Sequence, residues 1–244
     1  MKKLLTALLL LSVCAASAFA EKYDFSIPAD FANSQLNDLV KEAGTAIAYR
    51  AVAPAEPGGL TGFDIGIEAS FIKIDNALWD EVFDSNDAPG YLPVPRVHVR
   101  KGLPFDFDLG ASYAMVPSSN IKVIAGEIQY AIMDGSAALP ALALRGHYST
   151  LLGVDDLDLE TYGADAVLSK GFLFLTPYVG VGVLRSDGEY TGSNATLKAN
   201  LQDQSETTQR VFGGVQIAMA LLRITLDAEY AEVPVYTAKV SLGW

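Results

Sequence analysis

Few residues of this 244-residue chain could do chemistry, and those that could are spaced two apart. His147 and Ser149 stand at i and i+2, on one face of a strand, because strand side chains alternate with a period of two. An imidazole so placed could take the hydroxyl proton and make Ser149 a nucleophile. No third residue that would orient the ring can be assigned, and Arg145 shares the face, so the expected role of His147 is an interior histidine in a polar network. Asp106 and Asp108 are also at i and i+2, as paired carboxylates for acid–base work would be. Without a cleft they are expected to meet Arg96 and Arg100 across the turn at 102–104, since opposite charges pair across hairpins. Residues 155–160 hold Asp155, Asp156, Asp158 and Glu160, oxygen donors that would suit a divalent cation. The stretch lacks the glycine and ligand spacing of a Ca²⁺ loop. It reads as a solvated loop, and neither a metal site, a cofactor nor an enzymatic activity is expected.

The elements that must position these groups are strands. From Tyr236 to Trp244 apolar and polar residues alternate without a break. Tyr236, Ala238, Val240, Leu242 and Trp244 point one way; Thr237, Lys239, Ser241 and Gly243 point the other. Residues 63–71 behave alike, with Asp64 and Glu68 inward, and further strands are expected at 96–100, 105–113, 122–132, 139–149, 161–169, 172–185, 210–221 and 223–230. Segments 75–93 and 185–210 read as long external loops. The count from residue 60 is ten, with twelve the alternative; treating 45–52 as a strand gives eleven, against the even count of bacterial barrels. Half the residues are hydrophobic, yet beyond the first twenty there is no apolar run of 18, which is what strands with one lipid-facing side produce. The expected fold is therefore all-β, a transmembrane antiparallel up-and-down β-barrel of about ten strands with a short N-terminal helix.

The inward faces collect Asp64, Glu68, Asp106, Asp108, Glu127, Asp165, Asp227 and Glu229 against Arg96, Arg100, Arg145, Arg210, Arg223 and Lys239, with His98 and His147 beside them. A barrel of this size has a narrow interior, and an unpaired buried charge costs several kcal/mol, by order of magnitude. The charges are expected to pair and largely block the lumen. Lys239 should lie among Asp64, Asp227 and Glu229 if the first and last strands meet. Phe71, Phe105, Tyr113, Tyr130, Tyr148, Tyr162, Tyr230, Tyr236 and Trp244 fall on the outer face, as interfacial girdles would.

Residues 1–20 read as a cleaved signal peptide: Lys2 and Lys3, an apolar run, then Ala18-Phe-Ala20. Cys14 is the one cysteine; the bulky Val13 before it argues against an acylated lipoprotein, and disulfides are excluded. A net charge of −12 excludes nucleic acid as a partner, which rewards clustered Lys and Arg. Residues 21–59 form a separate segment. Phe31, Leu36, Leu39 and Val40 recur at helical spacing across 29–42, with Asp30 a candidate N-cap, followed by an extended passage broken at Pro54. This helix either plugs the barrel or lies in the periplasm. Residues 60–244 are the barrel.

The alternating strands and the final aromatic strand resemble the small outer-membrane β-barrels of Gram-negative bacteria. That resemblance implies outer-membrane location, outer-membrane lipid and lipopolysaccharide as surroundings, and the barrel-assembly machinery as a partner reading Tyr236, Val240, Leu242 and Trp244. Stretches 101–105, 140–145 and 175–183 look like those of uncharacterised proteobacterial outer-membrane proteins, a group with no activity to transfer. The spacing of His147 and Ser149 resembles that of the outer-membrane phospholipase barrel, where the pair faces lipid rather than sharing a face with an arginine. The function these features favour is a structural or interaction barrel with a filled lumen. The alternative is transport of small or hydrophobic cargo gated by the N-terminal helix, as in fatty-acid channels with N-terminal hatches; a lipid hydrolase is a remote third.

Overall fold

A computed structural model describes residues 23–244; the signal peptide and Cys14 lie outside the described residues. The strands are β1 (Phe63–Lys73), β2 (Tyr91–Gly102), β3 (Phe107–Met115), β4 (Lys122–Asp134), β5 (Ala141–Leu152), β6 (Leu157–Ser169), β7 (Leu175–Tyr190), β8 (Gln204–Met219), β9 (Leu222–Tyr230) and β10 (Pro234–Gly243). Each pairs antiparallel with its neighbour in sequence, and β1 pairs with β10, so the sheet is a closed ten-stranded up-and-down barrel. The seam is in register from Asp64 opposite Gly243 to Ile72 opposite Val235. Closure leaves no unpaired edge.

The two mouths differ. At the terminal mouth, where residues 63 and 244 meet, the connections are the short ones at 103–106, 135–140, 170–174 and 220–221. The opposite, loop mouth carries 74–90 with helix α2 (Asn76–Val82), 191–203 with helix α3 (Ala195–Asn200), and shorter turns at 116–121, 153–156 and 231–233. Outside, apolar side chains are exposed in a belt. On β4 they run from Ile124 through Ile128 and Tyr130 to Ile132. A strand of that span, tilted as barrel strands are, rises about 20 Å, close to the ~25 Å apolar band of outer-membrane barrels. Aromatic rings rim the belt. Tyr91 and Tyr236 lie 6.4 Å apart toward the loop mouth; the Phe63–Trp244 and Phe107–Tyr130 pairs, at 5.4 and 4.9 Å, lie toward the terminal mouth.

Inside the loop mouth lies helix α1 (Asn33–Ile47). Leu36, Leu39, Val40, Ala43 and Ile47 recur along one face and are buried with Trp79, Val82, Leu157, Leu159 and Val235. Burying each larger side chain is worth roughly 1.5–3 kcal/mol, enough to hold a 15-residue helix that would be marginal alone. Gln35 Oε1 accepts from the Ala32 N–H at 2.8 Å and closes the first turn. The helix is thus displaced from 29–42, and Asp30 precedes the cap rather than forming it. Residues 45–52 are no strand: 45–47 complete α1, and 48–55 run buried through the lumen without regular structure, turning at Val52, whose φ is 44°.

Other boundaries moved for a common reason: strands extend beyond the lipid belt, where alternation loses its apolar half. β7 and β8 reach Tyr190 and Gln204, so the loop read at 185–210 shrinks. β6 takes in Asp158 and Glu160, both exposed on a strand, instead of leaving 155–160 as a loop. Within 75–93 lies α2, capped by the Asp75 carboxylate accepting from Ala77 N–H, and β2 begins at Tyr91 despite Pro93 and Pro95. The pairing with β3 reaches only Arg96 opposite Ala114, so these prolines sit where β2 has β1 beside it but no third strand, a position that tolerates a missing N–H.

Candidate functional site: the filled lumen

Nine strands, all but β7, contribute charged or amide side chains to the lumen, because every second residue there must face inward. Arg96 Nη1 lies 3.4 Å from Glu68. Arg100 Nη2 meets Asp108 at 3.0 Å and Glu127 is 3.8 Å from its Nε. Arg145 Nε is 3.9 Å from Glu127 and donates to Gln129 Oε1 at 2.7 Å. Arg210 clasps Asp165 with two nitrogens and lies 3.6 Å from Glu229. Lys239 Nζ stands 3.2 Å from Asp64, and Arg223 Nη1 3.5 Å from the same carboxylate. Asp227 accepts from Tyr178 Oη at 2.6 Å.

Three sequence expectations need correcting. Asp106 is not inward. It lies exposed in the β2–β3 turn at φ 62°, its carbonyl accepting from Ala131 N–H. The turn takes up 103–106, so the inward phase of β3 begins at Asp108. Arg96 pairs with Glu68 across β1–β2 rather than with the Asp106–Asp108 side, because those strands place the two opposite each other. Lys239 faces the lumen beside Asp64 as expected, but Glu229 is taken by Arg210 and by a residue from outside the strands, and Asp227 by Tyr178.

That residue is Arg50. Its Nη2 lies 3.1 Å from Glu229, and its guanidinium also donates to the carbonyls of Thr45, Ala46 and Ala48. The wall's seven acids face six bases, and Arg50, 2% exposed, brings a seventh cation. Beside it Tyr49 Oη meets His98 Nε2 at 2.5 Å. Neither Tyr49 nor Arg50 stood out in the sequence analysis. The available signal was a lone arginine within an apolar run, where a charge must find a buried partner.

His147 and Ser149 face inward, both buried. Asp165 Oδ2 lies 3.5 Å from His147 Nε2, but neither imidazole nitrogen nor Ser149 Oγ makes a hydrogen bond. Above and below this network are two voids. One of about 30 Å³, lined wholly by apolar residues including Phe25, Ile47, Trp79 and Leu159, lies under α1. The other, about 190 Å³ and lined by Asp64, Arg100, Asp108 and Arg223 among others, opens at the terminal mouth. Residues 48–55 and the pairs around them separate the two.

At the loop mouth, Glu42 on α1 accepts from Asp75 N–H at 3.0 Å and from the Trp79 indole at 2.9 Å, tying α1 to α2. Burial pushes the Glu42 carboxyl above the usual carboxylate range against the pull of those two bonds, and the charges of Asp75 and Glu232 add to the rise. The strap before α1 is fastened by Phe25 N–H to Asn120 Oδ1, Ser26 N–H to Val82 O and Ile27 N–H to Asp156, each at 2.9–3.0 Å.

The architecture defines a class, the closed ten-stranded barrel filled by its own N-terminal segment. No protein-family model matches the chain, and no curated protein matches it significantly in sequence. Among solved structures it is similar to Ail, the attachment invasion locus protein of Yersinia pestis, at 14% identity over 75% of this chain and 95% of that one, TM-score 0.29. It is also similar to Neisserial surface protein A, at 14% identity over 74% and 96%, TM-score 0.31. LpxR from Salmonella typhimurium matches at 12% identity over 75% and 99%, TM-score 0.37. These likenesses are distant.

Proposed function

We propose that the protein is an outer-membrane barrel held shut by its own N-terminal segment, with a structural or interaction role at the cell surface. The observation that carries this reading is the occupied lumen: residues 48–55 are buried throughout, and Arg50 completes the charge pairing of the wall. The apolar belt with its two aromatic rims supports lipid surroundings, and the exposed apolar face of β10, with Tyr236, Val240 and Leu242 followed by Trp244, supports recognition by the barrel-assembly machinery. With the loop mouth outward, as short turns at the opposite mouth favour, Asp155, Asp156, Asp158 and Glu160 join an acidic outer surface. Lipopolysaccharide bridged by divalent cations is the partner of matching chemistry there. Planar-bilayer recording from the refolded full chain tests the closed state. The expected trace is silent at low voltage, and steady wild-type channels would sink the reading.

A second reading, gated transport of small or hydrophobic cargo, is favoured by one feature: the apolar void under α1 faces the loop mouth while the polar one opens at the other. It requires that moving residues 23–59 join the two. Uptake of apolar cargo by liposomes holding the wild-type protein tests it, with α1 locked to α2 by an engineered disulfide as the closed control.

A further inference from the structure

We infer that the lumen is a binding site for polypeptide without regular secondary structure, recognised through its main chain, and that residues 48–58 are its resident occupant. The inference rests on the plugged-barrel reading and names what the plug's seat can hold. Wall side chains from separate strands each take a main-chain group of the segment. Arg96 donates to Ala48 O at 3.3 Å, Arg210 to Tyr49 O at 3.1 Å and Lys239 to Ala51 O at 3.3 Å. Arg145 Nη2 donates to Ala53 O and Pro54 O at 2.9 and 2.8 Å, and Gln129 to Ala55 O at 3.1 Å. The N–H groups are met too: Ala55 N–H by Ser169 Oγ and Gly58 N–H by Asp108 Oδ1, each at 2.9 Å.

A wall built merely to fill itself would pair its cations with its own carboxylates. Here Arg145 spends one nitrogen on two consecutive carbonyls, and Lys239 reaches a carbonyl as well as Asp64. Carbonyls recur in any peptide, so such donors favour no particular sequence. The side chains between them, Ala51, Val52, Ala53 and Ala55, are small, and the selectivity this implies is for size. Tyr49 and Arg50 are the two side-chain anchors, and they fix register. The ligand class is therefore a peptide of small residues that can turn as the segment does at Val52, where φ is 44°, held by charge-assisted hydrogen bonds that are stronger than neutral ones.

The experiment uses the full chain with a protease site placed at the exposed Leu60 and Thr61 and cut after refolding, which leaves residues 23–59 in place as a separate peptide. Fluorescent peptides spanning 45–59 are the probes. One has the native sequence; one carries Ser at 51, 53 and 55 and Thr at 52; one has native side chains but ester linkages after residues 51, 54 and 55, which weakens those carbonyls as acceptors. Release of the resident is followed by mass spectrometry. The hydroxyl peptide should bind within tenfold of the native one, and the ester peptide more than tenfold weaker. Loss of the hydroxyl peptide with retention of the ester would overturn main-chain recognition, as would failure of all three to enter after the resident leaves. If the resident never leaves, the same four hydroxyl substitutions in the uncut chain decide: amide protection at 48–55 kept within tenfold supports the inference, and its loss overturns it. Channel silence in the uncut chain tests the plug itself, so the two readings fail separately.

Discussion

Glu42 makes the loop mouth responsive to acid. Its carboxyl is raised above the usual range chiefly by burial, so the folded mouth holds the proton more tightly than the unfolded chain does. A raised carboxyl contributes stability that is fully present below the ordinary glutamate value and is lost as pH rises through the raised one. Glutamine mimics the protonated side chain and still accepts from Asp75 and Trp79. Between about pH 4 and about pH 8, amide protection of α2 in the wild type, divided by that in Glu42→Gln, should therefore fall. A flat or rising ratio would show that Glu42 does not couple α1 to α2. Such a rim contact is invisible in sequence, because residues 42 and 79 are joined only by the fold. Arg50 and Glu229 illustrate the same limit at greater separation: Glu229 read as an inward acid near Lys239, Arg50 did not stand out, and which cation would meet which acid depended on a segment whose path no periodicity records.

At the scale of elements, α1 packs closely on β7. A Cβ added at Gly44 would stand 2.0 Å from Ser186 Oγ and 2.6 Å from Ser186 Cβ, and one at Gly188 would stand 2.4 Å from Val40 Cγ2. In an exposed helix, glycine to alanine gains about 1 kcal/mol. Here the overpacking cost of roughly 1–3 kcal/mol should reverse the sign. Gly44→Ala is expected to lower the unfolding midpoint in lipid vesicles, and Ser186→Gly added to it should restore most of the loss; no rescue would mean that α1 is not seated against β7 as described. Strands were the readable elements. Alternation revealed ten of them and placed Asp64, Glu68, His98, Arg145 and Lys239 on the inner face, since lipid on one side and a charged lumen on the other enforce the period. Their outer ends were not readable, because beyond the belt Arg185, Asp187 and Gln209 face water and the apolar half of the pattern stops. The α1 helix was readable from Leu36, Leu39 and Val40; its place inside the barrel was not, since an amphipathic face specifies an apolar neighbour without saying which.

At the scale of the whole molecule, the described chain begins at the loop mouth, where Tyr23 N–H donates to Ser118 O. It crosses the lumen once through 48–58 and starts the first strand at the terminal mouth. The barrel is thus a ring through which its own leading end is threaded, and this constrains the order in which it can be made. Were the β1–β10 seam to shut first, residues 23–47, with Phe25 and Phe31 among them, would have to be drawn through a space lined by charges. If the sheet instead wraps around a segment already lying in place, Arg145, Arg210 and Lys239 find its carbonyls while the wall is still open. Pulse-labelled refolding in vesicles should therefore find the amides of residues 48–55 protected before or together with those of β1 and β10. Protection of the seam ahead of the segment would mean that the thread is pulled through a finished ring.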